Sequence, residues 1–322
     1  MDVEWLPYLG KLSALAASIV WSFSITIYRA QGDGVPAQTL NLYKLFVAIV
    51  GFSALVVVMQ FGPAEYAPRF PASWQKSCWL MLSGIIGLTL GDTLFFYAIK
   101  HLGAGLTSAL QCLTPPLNAI IDWLYLNKQM TGIQIIGLII VVTAVAGVVL
   151  AGARRRKRIS REHDALWFLG LIAAVGSAFS SAVSYAITGE ALKGESIWTC
   201  NILRFAPAFG VLLVFALFTR GGWSGVKYLV SHPKKMGMLT VAAFLGTIVG
   251  ISLLSFGFQH ADTGIVSTLS TTYPIWVVGV AALFLKEYPS PQQLLCTLLA
   301  IVGIALLMLP ASVWTGWLTG HL

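Results

Sequence analysis

The 322-residue chain is 57% apolar and only 10% charged, and its mean hydropathy is +0.81. A globular domain usually carries about a quarter of charged residues to face water. This composition therefore excludes an ordinary soluble protein, and equally a disordered, collagen-like or disulfide-rich chain. The net charge of +8 does not indicate a nucleic-acid partner, because basic residues in membrane proteins concentrate in cytoplasmic loops. The predicted surroundings are the lipid bilayer.

Ten apolar runs follow one another, each close to the roughly 20 residues that a helix needs to cross about 30 Å of hydrocarbon. They lie at 9–28, 37–60, 77–99, 103–125, 132–150, 165–188, 197–218, 236–258, 263–285 and 291–310. The first run has one basic residue, Lys11, near its start and no suitable cleavage site after it, so we expect a retained helix. The connections are too short for a soluble domain. The predicted fold is an all-α integral membrane protein with ten transmembrane helices.

The chain contains an internal repeat. A shift of 159 residues aligns 83–130 with 242–289 without a gap and with ten identities, among them Pro115 with Pro274. A shift of 160 residues places Lys44 on Arg204. Self-similarity at a fixed offset indicates a duplication.

The duplication divides the chain into two predicted five-helix repeats. The predicted parts are a first repeat at 1–152, a basic linker at 153–164, a second repeat at 165–310 and a tail at 311–322. Because five is odd, the second copy enters the membrane from the opposite side, and the repeats are inverted. This plan is typical of secondary transporters that hold a substrate near the midplane and work by alternating access. A duplication that serves only assembly or scaffolding is the alternative.

The chain resembles the drug/metabolite transporter superfamily, specifically its ten-span members with two EamA-type domains. The resemblance covers about residues 9–310. It rests on the duplication, the glycine-rich third and eighth runs, the prolines within the fourth and ninth runs, and Lys286-Glu287 after the ninth. It implies a carrier of small metabolites, often amino acids or related compounds, with a central cavity lined mainly by the first, third, fourth, sixth, eighth and ninth helices. The first half departs from the pattern, with Asn127-Lys128 where such domains often have Gly-Glu.

Two opposite charges lie inside neighbouring spans at equal depth. Lys44 is seven residues into the second run and Asp92 is seven residues before the end of the third, which places both roughly 10 Å from the same membrane face. Ionisable residues inside a membrane are costly and usually functional. We predict a Lys44–Asp92 ion pair, which either neutralises two charges structurally or takes part in gating or proton coupling.

Arg204 is the counterpart of Lys44 in the second half, but Ile251 stands where the repeat would place an acid. A guanidinium with a free face can bind a carboxylate or phosphate through two hydrogen bonds, which favours an anionic or zwitterionic substrate. The alternative is that Arg204 extends to the interface and meets Glu190 or Glu195. Asp122, close to the end of its run, is predicted to be an interfacial acid.

Prolines interrupt the fourth and ninth runs near their middle. Pro115, Pro116 and Pro274 remove backbone donors, so the freed carbonyls are expected to face protein or a watery cavity. The candidate substrate-cavity residues are Trp21, Lys44, Asp92, Tyr97, Gln111, Asn118, Tyr185, Arg204, Thr271 and Tyr273. The alternative for the polar members is that they join helices, and for the aromatic members that they face lipid.

Glycines recur at helical spacing in the third and eighth runs. Gly84, Gly87 and Gly91 share one face, as do Gly246 and Gly250, and small residues at this spacing let helices approach closely. We interpret them as packing contacts, and a homodimer through such a face is possible.

The basic residues outside the spans favour one membrane face. Thirteen lie on the face opposite the termini and five on the termini's own face, which predicts non-cytoplasmic termini in a cell (inner or plasma) membrane. The resemblance implies the opposite, because many ten-span relatives are expected to keep both termini in the cytoplasm.

Motifs for the competing functions are missing from the sequence. There is no GxxxxGK[ST] loop, HExxH motif or nucleophile elbow, so we predict no cofactor, no metal, no catalytic residues and no enzyme activity. We predict a secondary transporter of a small polar or amphipathic metabolite, driven by a gradient, by exchange or not at all. A coupled species would be a proton or a counter-substrate. A membrane-embedded enzyme and a membrane scaffold or receptor are the alternative functions.

Overall fold

The computed structural model describes residues 6–61, 68–71, 73–125, 131–155, 161–191, 195–261, 266 and 269–308. Within this part of the chain all regular backbone is helical. Residues 156–160 of the predicted linker and the predicted tail at 311–322 lie outside the described residues. The boundaries of the two repeats therefore stay predictions.

The helices follow the predicted runs closely. The α-helices are α1 (Leu6–Gln31), α2 (Ala37–Gln60), α3 (Trp74–Gly84), α4 (Asp92–Leu102), α5 (Ala104–Leu110), α6 (Thr114–Tyr125), α7 (Gly132–Arg155), α8 (Arg161–Ala191), α9 (Ile197–Phe218), α10 (Arg220–Val230), α11 (Pro233–Ala243), α12 (Gly250–His260), α13 (Tyr273–Leu285) and α14 (Pro291–Met308). Two π-helical segments, Ile85–Gly91 and Phe244–Val249, join α3 to α4 and α11 to α12, and a 3₁₀ turn, Gln111–Leu113, joins α5 to α6.

Seven helices in the described residues are long and apolar enough to cross a membrane. They are Pro7–Gln31, Ala37–Gln60, Trp74–Leu102, Gly132–Arg154, Asp164–Thr188, Ile197–Phe218 and Pro233–Gly257, and each coincides with one predicted run. The other three predicted runs contain shorter helices. The 3₁₀ turn divides the fourth run, while Tyr273–Leu285 and Pro291–Leu306 are apolar but shorter. Ten spans therefore remain a prediction.

The prolines stand just after the interruptions in the fourth and ninth runs. Pro115 and Pro116 lie in the first turn of α6, directly after the 3₁₀ turn, and Pro274 lies in the first turn of α13. Proline suits this position because the first helical N–H groups have no partner within the helix. The structure therefore places each proline at the start of a new helical segment.

The helix α10 was not predicted from the sequence. The stretch between the seventh and eighth runs was expected to be a short polar connection, but residues 220–230 form an amphipathic helix. Its Leu229 and Gly225 are buried against the bundle, while Trp223 and Lys227 are exposed. This helix is short and contains two adjacent glycines, so its sequence did not indicate a helix.

The two π-helical segments occupy equivalent positions in the repeat. The shift of 159 residues that aligns the halves places residue 85 on residue 244, where the two segments begin. A π-helix is rare, is usually a single turn and often marks a functional position. The repeat seen in the sequence therefore extends to an unusual backbone geometry.

Contacts between the two halves come in matching pairs. The α3–α4 rod of the first half packs against α8 and α9, and the α11–α12 rod of the second half packs against α1 and α2. Two further pairs join equivalent helices, namely α2 with α9 and α7 with α14. These contacts of the first half with the second therefore have counterparts in the opposite direction.

The predicted glycine contacts are present between these helices. A Cβ at Gly84 would overlap the backbone carbonyl of Arg204, and one at Gly87 would overlap the Ser184 side chain. In the second half, Gly246 lies in the same way against Ser24 on α1. The absence of a side chain lets the rods approach their partners closely.

We expect Gly84→Ala to destabilise the protein by about 1–3 kcal/mol, because the new methyl group meets backbone and must push α3 away from α9. The measurement is the melting temperature in detergent. Gly210→Ala in α9 is the matched control, since a Cβ there meets nothing within 4 Å. Equal melting temperatures for the two variants would contradict this packing.

Candidate functional site

The ion pair between Lys44 and Asp92 is confirmed. The Lys44 ammonium on α2 contacts the Asp92 carboxylate, the first residue of α4 after the π-helical segment. Lys44 is 7% exposed, and its ammonium also lies 5.6 Å from the centre of the Phe96 ring. A buried ammonium needs such a counter-ion, because water no longer solvates it.

Asn41, one turn before Lys44, fixes α2 to the π-helical segment. Its amide nitrogen donates to the Leu88 carbonyl at 2.7 Å, to the Thr89 carbonyl at 3.2 Å and to the Thr93 hydroxyl at 2.9 Å. A π-helical turn is wider than an α-helical turn and disturbs the usual backbone hydrogen bonds. A side-chain donor can satisfy the backbone carbonyls that the π-helical turn leaves accessible. Asn41 therefore supports the backbone that presents Asp92 to Lys44.

Arg204 on α9 is a buried cation whose hydrogen bonds within the described part of the chain go to hydroxyl groups. It is 8% exposed, and its guanidinium donates to Ser83 Oγ at 3.3 Å and to Ser184 Oγ at 3.4 Å. Both hydroxyls give their own protons to backbone carbonyls, Ser83 to Leu80 and Ser184 to Ser83. Their oxygens are therefore left to accept from Arg204, through two long hydrogen bonds.

No carboxylate among the described side chains lies within 4 Å of the Arg204 guanidinium. Glu195 binds Lys76 instead, at 2.8 Å, and so is not the acid that Arg204 meets. The side chain of Glu190 lies outside the described residues. Asp92 and Tyr185 lie near Arg204 at longer range. A guanidinium has five N–H donors, so much of its capacity remains available to an anion.

Three aromatic residues from three helices lie near these charges. Tyr185 on α8 lies in the neighbourhood of both Asp92 and Arg204, and Tyr273 on α13 lies in the neighbourhood of Tyr185. Trp21 on α1 meets the Tyr273 ring edge to face at 6.2 Å and donates its indole N–H to the Gly246 carbonyl at 2.8 Å. Tyr185 is 57% exposed although the adjacent Ser184 is buried.

The remaining polar candidate residues are Gln111, Asn118 and Thr271, and their hydrogen bonding differs. The Gln111 amide donates to Ser177 at 2.9 Å and accepts from Thr114 at 3.2 Å, so it ties the 3₁₀ turn to α8. The carbonyl oxygen of Asn118 on α6 is buried without a partner among the described residues. Thr271 lies in the turn directly before α13. An unsatisfied buried acceptor is costly, so Asn118 is the candidate that most needs an external donor.

Tyr97 lies apart from the other candidates, beside a cavity of about 350 Å³ between the start of α2 and α4. The residues that line it are Pro36, Ala37, Gln38, Thr93, Leu94, Tyr97, Lys100 and His101. The Tyr97 ring lies 4.4 Å from the His101 ring, and Thr93 follows Asp92 directly. His101 is not among the site residues predicted from the sequence, although the spacing of four residues between Thr93, Tyr97 and His101 places them on one helix face.

Ion pairs and a charged hydrogen bond join distant parts of the chain at the two ends of the bundle. At one end Arg29 binds Glu287 at 2.9 Å, and the Lys235 ammonium donates to the Asp33 carbonyl at 2.6 Å. At the other end Lys76 binds Glu195. The pair that includes Glu287 joins α1 to the chain after α13, a contact between residues 258 positions apart that the sequence did not reveal.

The described chain is a set of apolar helices with large hydrophobic side chains exposed along them, from Tyr8 in α1 to Val302 in α14. Such a surface is stable only in lipid, so the protein is a multi-pass membrane protein. The model of the EamA-like transporter family matches the chain twice, at residues 8–150 and 168–309. The chain therefore belongs to the EamA-like transporter family and is a membrane transporter.

Curated relatives cover nearly the same length. The chain is 25% identical over 302 residues to a probable terminal-alkyne amino-acid exporter of Streptantibioticus cattleyicolor, covering 91% of this chain and 92% of the relative. It is 27% identical over 261 residues to an uncharacterized transporter, YvbV, of Bacillus subtilis, covering 79% and 77%. A solved crystal structure with 17% identity superimposes with a TM-score of 0.59 over 94% of this chain and 97% of that one, which shows the same fold.

Proposed function

We propose that the protein is a secondary carrier that moves a small amino-acid-like metabolite across a cell membrane by alternating access. The observation that carries this proposal is Arg204, a buried guanidinium with two long hydrogen bonds to hydroxyls and no carboxylate partner among the described side chains. Burying a cation is costly, and a substrate carboxylate is the partner that its geometry suits.

Alternating access requires two halves that move against each other, and inverted repeats supply them. The duplicated family match, the π-helical segments at equivalent positions and the matching helix contacts support this arrangement. The loop contacts support it too. Arg29, Asp33, Lys235 and Glu287 meet at one end, as expected for ten alternating spans.

The binding site of the proposal lies between the two buried basic residues. Arg204 binds the substrate carboxylate, and the rings of Trp21, Tyr185 and Tyr273 form walls for its apolar part. In this proposal the exposed face of Tyr185 borders the substrate cavity, since Tyr185 lies near both Asp92 and Arg204. The unpartnered oxygen of Asn118 accepts from a polar group of the substrate or from cavity water.

The charges at the site favour a zwitterion over a simple anion. The Asp92 side chain is 27% exposed while it pairs with Lys44, so one part of the carboxylate remains open to a cation such as a substrate ammonium group. The name of the Streptantibioticus cattleyicolor relative supports an amino-acid substrate.

Coupling in this proposal depends on the Lys44–Asp92 pair. A proton or a counter-substrate that reaches Asp92 competes with Lys44 for the carboxylate and so changes the contact between α2 and α4. In this proposal the cavity beside Thr93, Tyr97 and His101 is the route to Asp92 from one end of the bundle, since Thr93 follows Asp92 in the chain. In this proposal that end faces the cytoplasm and both termini lie outside, which the larger number of basic residues at that end supports.

A thermal-shift experiment tests the site. We expect amino acids to raise the melting temperature of the purified protein, while nucleosides and sugars do not, since a ligand at 100 times its Kd stabilises the folded state by about 2.7 kcal/mol. The matched control is the amide of each stabilising amino acid, which keeps the side chain and the amine but lacks the carboxylate. Equal shifts for acid and amide would contradict a carboxylate site at Arg204.

A further inference from the structure

An apolar groove runs along the outer surface between α2, α9, α10 and α11. It has a volume of about 180 Å³, with Phe46 and Phe209 at its inner end and Trp223 and Val230 at its mouth. Phe209 lies nine residues before the end of α9, so the groove reaches about 14 Å into the membrane from the end of that helix. The groove therefore runs in the direction in which the acyl chain of a lipid extends into the bilayer.

The walls of the groove suit hydrocarbon. The hydroxyls of Thr39 and Tyr43, the thioether of Met236 and the indole N–H of Trp223 interrupt a lining that is otherwise carbon, and Tyr43 is already bonded to Thr240 at 2.6 Å. A polar metabolite would lose its hydrogen bonds to water here without replacement. The occupant must therefore present an extended apolar chain.

The mouth of the groove carries positive charge. The helix α10 starts two residues after α9 ends and, at about 16 Å, is too short to cross the bilayer, so it lies along the interface. The Lys227 ammonium lies 5.9 Å from the Trp223 ring centre, and Lys234 is exposed at the start of α11. Lys235 is turned toward the Asp33 carbonyl, and Asp33 itself pairs with Arg29. In the described part of the chain, neither Lys227 nor Lys234 has an acidic partner within 4 Å.

We propose that this groove binds one anionic phospholipid molecule, with an acyl chain against α2 and α9 and its phosphate headgroup at Lys227 and Lys234. An anionic headgroup fits because interfacial lysines attract acidic lipids and tryptophan favours the headgroup level. The lipid joins α2 of the first half to α9, α10 and α11 of the second, so it supports the contact between the halves from outside. This site is separate from the proposed substrate site and does not depend on what is transported.

Native mass spectrometry of the purified protein tests the proposal, with phosphatidylglycerol and phosphatidylcholine of identical acyl chains added in turn. We expect one phosphatidylglycerol molecule to be retained severalfold more strongly than phosphatidylcholine. The double variant Lys227→Gln and Lys234→Gln should remove this preference. Lys11→Gln is the matched control, because its ammonium lies 5.3 Å from the Tyr8 ring at the other end of the bundle, away from this groove.

A second pair of variants tests the acyl chain. Leu213→Trp fills the groove and should lower retention of both lipids, whereas Val214→Trp, on an exposed position of the same helix outside the groove, should not. Equal retention of the two lipids by the unmodified protein would overturn the headgroup assignment. A change in oligomeric state with unchanged lipid retention in Leu213→Trp would identify a second copy of the chain as the occupant and would overturn the proposal.

Discussion

Asp92→Asn is expected to destabilise the protein by about 3–5 kcal/mol and to remove the pH dependence of transport. The variant leaves the Lys44 ammonium buried without a counter-ion, which is a large penalty in a membrane interior. Stability is measured by thermal unfolding in detergent, and transport by solute flux into vesicles at several external pH values.

Two controls separate the structural role of the pair from a coupling role. Asp33→Asn removes an acid whose side chain is 80% exposed, so its stability should change by less than about 0.5 kcal/mol. Adding Lys44→Met to Asp92→Asn removes both charges and should restore most of the stability. If the double variant also regains pH-dependent transport, the pair only neutralises charge. If Asp92→Asn changes neither stability nor pH dependence, both roles are wrong.

Arg204→Gln is expected to lower transport at low substrate concentration by roughly tenfold to a hundredfold, while leaving the stability unchanged or higher. Arg204 has no acidic partner among the described side chains, so its removal relieves the cost of a buried cation, and glutamine can still bond to Ser83 and Ser184. Loss of a charged hydrogen bond to the substrate costs about 1.5–3 kcal/mol, which weakens binding roughly tenfold to a hundredfold. The measurements are flux into vesicles and the melting temperature of the same preparation.

Arg204→Lys and Lys76→Gln complete this experiment. Lysine keeps the charge but not the planar pair of donors, so Arg204→Lys should transport weakly with a raised KM. Lys76→Gln removes a partly exposed pair with Glu195 near one end of the bundle and should transport normally. Unfolding of Arg204→Gln together with normal stability of Arg204→Lys would show that the guanidinium charge supports the fold and would contradict a substrate role.

The depth of the charged residues within their membrane spans could be predicted from the sequence. Counting residues from a shared membrane face was enough to pair Lys44 with Asp92, because a helix rises by a constant distance per residue. The seven long helices could be predicted for a similar reason, since the thickness of the bilayer sets their length. The glycine contacts followed from spacing along one helix face.

Contacts that depend on tertiary packing could not be predicted from the sequence. The π-helical segments have no hydrophobic period of their own, and only the repeated glycines mark their position. Ser83 and Ser184 resemble many other membrane serines until α3, α8 and α9 come together around Arg204. Glu287 was noted only as part of a resemblance, and its partner Arg29 is distant in the chain.

Counterflow in reconstituted vesicles tests the central claim most directly. Vesicles that contain the protein are preloaded with an unlabelled amino acid that gave a thermal shift, and the labelled form is added outside at low concentration. A carrier with a single alternating site should accumulate the label transiently above its equilibrium level, and Arg204→Gln vesicles should not. Simple equilibration without an overshoot, or no uptake for any amino acid that binds, would contradict an alternating-access carrier.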